Sequence, residues 1–311
     1  MEAVISALKA ISDIVWGPVM LVLLVGTGLY LTIGLRFFPF RNWMRSYACL
    51  WQGRSHQSAD GEISPWNALM TALAGTIGTG SIVGVATAIS VGGPGALFWM
   101  WVTAIVGMVT KFAEVMLSVQ FREKTPAGNW VGGAMYFIKH GLGTAPMAHA
   151  ASTAHSPLAQ ASIGMLDVFV TTLVICSMTG FAILVTGEWC SGIGGGIMTA
   201  SAYEKALPGI GRIGVTVCLA LFAFTTALGW CVYGERCAIY LFGDRAQLPF
   251  RIIYVLVFCL GALMTLDLVW LASDIGNALM AFPNLTGILL LSPFLFRLVR
   301  EEAQKDPRFT V

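Results

Sequence analysis

The chain has 311 residues, of which 57% are hydrophobic and only 11% charged, with a mean hydropathy of +0.77 and a net charge of +2. Soluble domains carry about 25% charged residues, so this composition excludes a soluble protein and assigns the chain to the membrane. The small net charge excludes nothing more, because in a membrane protein the placement of Lys and Arg matters, not their sum.

Seven apolar stretches approach the roughly 20 residues that cross a bilayer. They are 13–35, 66–90, 94–120, 163–187, 211–233, 251–271 and 272–296. The first lacks a basic region and a cleavage site before it and is long enough to span, so it reads as a retained helix. The last two are divided only by the polar region at Ser273 and Asp274. Asp274 then reads as an interfacial charge or the start of a helix.

The second stretch contains Gly75-Thr76-Ile77-Gly78-Thr79-Gly80-Ser81-Ile82-Val83-Gly84. Glycine in a membrane helix has two uses. It lets helices pack closely, and Gly80 and Gly84 form a GxxxG pair suited to that. It also lets a helix unwind and expose backbone N–H and C=O groups to a solute or ion enclosed by protein. Spacing alone leaves both readings open. In the third stretch, Lys111 and Glu114 stand i,i+3 on one helix face. Charges inside a membrane are costly and mark either a structural pair or a functional relay.

The segment 121–162 is too polar and too broken to span, and long for an inner loop. The connection 188–210, rich in glycine, is predicted to be a flexible outer loop. Thr225 and Thr226 lie mid-span in the fifth stretch, where a threonine either bonds back to its own helix or offers a hydroxyl to a hard cation. With the N-terminus outside, 14 of the 18 Lys and Arg residues fall in inner loops, at an inner helix end or in the C-terminal tail, leaving only Lys9, Lys205 and Arg212 outside and Lys111 within a span. This asymmetry predicts seven spans, with the N-terminus out and the C-terminus in.

The seven cysteines (Cys49, Cys176, Cys190, Cys218, Cys231, Cys237 and Cys259) are scattered, with no CxxC, and read as small core residues. His149 and His155 have no partners with metal-ligand spacing. Asn284-Leu285-Thr286 fits a glycosylation pattern but lies within a span. There is no HExxH, GxSxG or P-loop, hence no signature of an enzyme. A seven-helix retinal protein needs a lysine in a late helix, and 272–296 has none.

Ala74–Val85, Gly92–Trp101, Lys111–Glu114, Gly132–Phe137, Gly141–Ala150, Phe222–Tyr233, Trp270–Asp274 and Met280–Leu285 together resemble the alanine or glycine:cation symporters. That family is similar to the LeuT-type fold, two inverted five-helix repeats with a broken helix first in each. The resemblance implies an all-α integral membrane protein of about seven helices, an incomplete inverted-repeat transporter, organised as one domain over 1–311. Residues 1–140 resemble the family's N-terminal part and 144–311 its C-terminal part. One Gly141-Leu142-Gly143 stands where the family has two similar tripeptides, which implies an internal deletion of about four helices.

The implied activity is sodium-coupled symport of alanine or glycine across the inner membrane. Sodium is the coupling ion and no cofactor or nucleic acid is expected. The alternatives are an inactive remnant, or a fragment that needs a partner chain or a homo-oligomer, with a seven-helix receptor as a distant alternative. Thr76, Gly78, Thr79, Gly80 and Ser81 are the implied substrate-binding residues, and Gly75, Thr225 and Thr226 the implied cation ligands. Two departures from the family stand out. Ser81 replaces a usual Asn, and Thr171 replaces a usual Asp, with Asp167 one helical turn earlier; the resemblance leaves open whether Asp167 substitutes for it.

Overall fold

The structure is a computed structural model that describes residues 2–52, 64–124, 130–141, 157–306 and 309. Of the expected junction only Gly141 is described. Leu142, Gly143, the small-residue run after them, His149 and His155 lie outside the described residues.

The described chain is helical apart from one small hairpin. In order, its helices are α1 (Glu2–Val15), α2 (Pro18–Gly34), α3 (Phe38–Arg41), α4 (Trp43–Gln52), α5 (Pro65–Thr76), α6 (Val83–Gly92) and α7 (Gly95–Gln120). Two short strands, β1 (Glu123–Lys124) and β2 (Trp130–Val131), pair antiparallel with Glu123 opposite Val131. Then follow α8 (Ala134–Gly141), α9 (Pro157–Val168), α10 (Ser177–Val185), α11 (Gly195–Ala206), α12 (Gly211–Phe242), α13 (Gln247–Gly261), α14 (Leu266–Leu290) and α15 (Ser292–Lys305). Phe169–Cys176, between α9 and α10, is wound as a π-helix.

Four stretches are long and apolar enough to cross a bilayer: Ile5–Gly34, Gly95–Gln120, Pro157–Val185 and Gly211–Phe242. Two more spans arise if α5 with α6, bent by 65°, and α14 with α15, bent by 63°, each count as one. This is the all-α membrane architecture expected. One predicted boundary moves. The chain breaks at residues 262–265, after Gly261, not at Ser273 and Asp274. Both lie inside α14, so Asp274 does not begin a helix; its carbonyl accepts a hydrogen bond from Trp16 Nε1 at 3.0 Å. The fifteen residues of α13 pack on α12 and none of them is buried.

Helix α7 runs through the centre, against α2, α6, α8, α9 and α15. Phe112, Met116 and Leu117 on α7 are fully buried with Leu31, Phe137, Leu158 and Ile163 around them. In lipid, such contacts are held by close packing and not by exclusion of water. Gly28 makes one of them possible, since a Cβ there would lie 2.1 Å from Val106 Cγ1 and 2.7 Å from the Val106 carbonyl oxygen.

The connection expected to be a flexible loop contains helix α11, which packs against α6, α10 and α12. Its glycines permit contact: a Cβ on Gly196 would sit 3.3 Å from Val83 Cγ2. Thr199 Oγ1 donates to the Ile82 carbonyl at 3.2 Å. Two carboxylates pin the ends of this unit. Glu188 pairs with Lys205. Glu204 accepts from Gly209 N at 2.7 Å and Arg212 N at 2.9 Å, capping the start of α12.

Both carboxyl groups are held below the usual carboxylate value. Glu188 is lowered by the Lys205 hydrogen bond, and Glu204 by the Arg212 and Gly209 amides. A depressed folded-state value stabilises the fold above the unfolded-state value of about 4.3, and that contribution is lost as pH falls through the folded-state values. Thermal unfolding in detergent should therefore be flat from neutral pH down to about pH 5 and weaken below it. Glu188→Gln with Glu204→Gln should lower stability at pH 7 and reduce the acid slope. An unaltered slope in the double variant would disprove the assignment.

Candidate substrate and cation site

Helix α5 begins properly, with Pro65 in its first turn and the Ser64 hydroxyl accepting from Asn67 N at 3.2 Å. It ends within the apolar stretch 66–90. Ile77 (φ −78°, ψ 95°) and Gly78 (φ −138°, ψ −163°) are extended. Thr79–Ser81 form one tight turn, and α6 resumes at Val83. Broken helices of this kind are tolerated in membranes where they line a protein-enclosed or aqueous cavity.

The glycines divide by role. A Cβ on Gly78 would lie 2.5 Å from Thr226 Oγ1, and one on Gly75 would lie 2.9 Å from Tyr233 Cε2. A Cβ on Gly229 would come 3.0 Å from Gly75 Cα. Helices α5 and α12 thus meet backbone to backbone beside the break. Gly80 and Gly84 have nothing within 4 Å of the equivalent position. The GxxxG pair therefore makes no close packing contact among the described residues, and the break reading is the one the geometry carries.

Of the two threonines on α12, Thr225 Oγ1 donates to Phe222 O at 3.2 Å, within its own helix. That is the bonding-back alternative, a contact Thr76 Oγ1 also makes, toward Ala72 O at 3.0 Å. Thr226 Oγ1 is buried, has no hydrogen-bond partner and is aimed at Gly78. Of the implied substrate residues, Thr76 and Gly80 are exposed and Thr79 is half-buried. Ser81 is 3% exposed, and so is turned away from the open face.

The acidic residue on the neighbouring span reaches the break after all. Asp167, 1% exposed, accepts from Thr76 Oγ1 through Oδ1 at 2.6 Å, with Thr171 Oγ1 3.3 Å from the same hydroxyl. Asp167 and Thr171 are four residues apart and both face α5. A carboxylate is thus present beside the break, on the same face as Thr171. Lys111 Nζ lies 4.0 Å from Asp167 Oδ2 and 3.9 Å from Glu114 Oε2. Asn284 Nδ2 approaches Glu114 Oε1 at 3.5 Å. The expected Lys111–Glu114 pair is present, and it is part of a larger network. Among the described residues no group of His, Cys, Asp and Glu is arranged to hold a metal ion.

Comparison with known sequences shows the family. The profile of the "Sodium:alanine symporter family" matches residues 1–144 and 140–308. An "Uncharacterized transporter" of Haemophilus influenzae is 31% identical, with 96% of each chain covered. "Sodium/alanine symporter AgcS" of Methanococcus maripaludis is 30% identical over 93% of this chain and 95% of its own. "Probable sodium/glutamine symporter GlnT" of Bacillus subtilis is 23% identical over 96% and 91%. These matches make the protein a carrier and not an enzyme, and the chain belongs to the sodium:alanine symporter family.

Proposed function

We propose that the chain carries the sodium and substrate half-site of a symporter for a small neutral amino acid, alanine or glycine, and that by itself it does not complete coupled transport. The observation that carries the half-site is the buried Thr226 hydroxyl, without a partner and aimed at Gly78. Hard cations are held by oxygen donors, and the break adds backbone carbonyls beside Gly75. Sodium would sit there, with Thr226 as the side-chain ligand. The amide end of α6, with the Thr79–Ser81 turn, would face the substrate carboxylate. The relative named as a sodium/alanine symporter supports this choice over the relative named for glutamine, which is less similar.

Two observations support an internal deletion. The family profile matches twice, and the two matches overlap at residues 140–144. The alignment to the Haemophilus relative runs over 441 positions against 311 residues in this chain. On this reading 1–140 and 144–311 are the two surviving parts, joined near 141–143, with the N-terminus outside the inner membrane and the C-terminus inside. The exposure of Thr76 and Gly80 fits a site that has lost its covering helices.

Purified chain in liposomes with an inward sodium gradient tests this. No accumulation of labelled alanine or glycine above an ionophore control is expected. Accumulation would refute the incompetence, and would show that the covering helices are dispensable or supplied by another copy.

A further inference from the structure

We infer that Asp167 forms a second sodium site, separate from that at Thr226, with Thr76 and Thr171 as its hydroxyl ligands. The inference rests on the sodium-coupled reading above and extends it. Lys111, Glu114 and Asp167 lie within 4.0 Å of one another through the lysine. One ammonium faces two carboxyl groups in a span. A charge in that setting calls for a partner. The lysine does not fully supply it, because at 3.9 and 4.0 Å it makes no hydrogen bond to either carboxylate.

The second observation is Asp167 itself. Its side chain is 1% exposed, and Oδ2 is buried with no hydrogen-bond partner. A buried carboxylate oxygen without a donor is costly unless a cation or proton meets it. Oxygens of the right kind are already gathered: Thr76 Oγ1 at 2.6 Å from Oδ1, and Thr171 Oγ1 at 3.3 Å from Thr76 Oγ1. Carboxylate and hydroxyl oxygens are the donors a hard ion takes. Among the described residues, Glu114 and Asn284 approach each other at 3.5 Å beside the cluster, and the Tyr233 hydroxyl donates to the Thr71 carbonyl at 3.4 Å. Neither Asn284 nor Tyr233 adds a positive charge.

A bound ion here would tie the end of α5 to the span Pro157–Val185, whereas the ion at Thr226 would tie the break to α12. Lys111 would repel the ion and set its affinity.

Equilibrium binding of radioactive sodium to the purified full chain, at constant ionic strength with choline replacing sodium, gives the test. Two ions per chain are expected for the wild type, and one each for Asp167→Asn and Thr226→Val. Lys111→Gln should tighten the Asp167 ion about tenfold, because a like charge about 4 Å from the carboxylate is removed. A lysine with a structural role alone would give the opposite sign or no change. Should Asp167→Asn fail to fold, Thr171→Val reads the same site and should weaken that ion about tenfold. One ion in the wild type, lost only in Thr226→Val, would overturn the second site and leave the proposed function standing. Loss only in Asp167→Asn would support the second site and overturn the assignment at Thr226. No bound sodium in the wild type would overturn both.

Discussion

Gly229→Val is expected to abolish the well-packed folded chain, the largest stability effect of any single substitution at the site. A Cβ at 229 would lie 3.0 Å from Gly75 Cα and 3.2 Å from Gly75 N. Those neighbours are backbone atoms and cannot rotate away, so α12 would have to separate from α5. Overpacking of a core typically costs 1–3 kcal/mol, and pushing against backbone belongs at about 3 kcal/mol or more. Gly84→Ala is the matched control, since its Cβ meets nothing within 4 Å. It should be neutral or slightly stabilising, because alanine favours helix over glycine. Size-exclusion profiles and thermal unfolding in detergent distinguish the two. A monodisperse Gly229→Val variant with an unchanged melting temperature would refute the backbone contact.

The second large effect is on sodium dependence, in Thr226→Val. Valine keeps the shape and removes the hydroxyl. In choline, the variant should match or exceed the wild type by about 1 kcal/mol, since a buried hydroxyl without a partner disappears. In sodium, it should lose the stabilisation that ligand binding gives, which rises by about 1.4 kcal/mol for each tenfold excess of ion over Kd. The sodium concentration needed for half the effect should rise at least tenfold. Thr225→Val should keep the wild-type sodium response, because its hydroxyl is bound to Phe222 O. Equal sodium responses in Thr226→Val and the wild type would remove Thr226 from the cation site.

The glycine run leaves close packing and a break both open, and only the family resemblance implies the break. Sequence shows the class and most of the spans, because bilayer length is a local property. It also placed Lys111 and Glu114 on one face, for the same reason. It was silent on what depends on helix rotation. Thr225 and Thr226 are adjacent and chemically alike, and only the rotation of α12 sends one to the break and the other to its own helix. Asp167 stands one turn from Thr171, and sequence leaves open whether it takes part. Yet four residues return to nearly the same side of a helix, and that spacing was the available signal. Helix α11 was hidden because Gly192, Gly194, Gly195 and Gly196 resemble a linker. The contacts with Val83 and Ile82 that make α11 a helix come from a distant part of the chain.

The π-helical stretch Phe169–Cys176 has a mechanical meaning as well. A π turn holds more residues than an α turn, and single π turns recur where proteins work. Removing one residue from the winding would twist one half of the span against the other by about 100° and slide it by about 1.5 Å. Asp167 lies on one side of this stretch, and Ser177, hydrogen-bonded by Trp101 Nε1 at 2.7 Å, on the other. The segment is therefore a wound spring in the plain geometric sense. A change of winding there would rotate Asp167 relative to the end that carries the Trp101–Ser177 hydrogen bond, and so relative to Thr76.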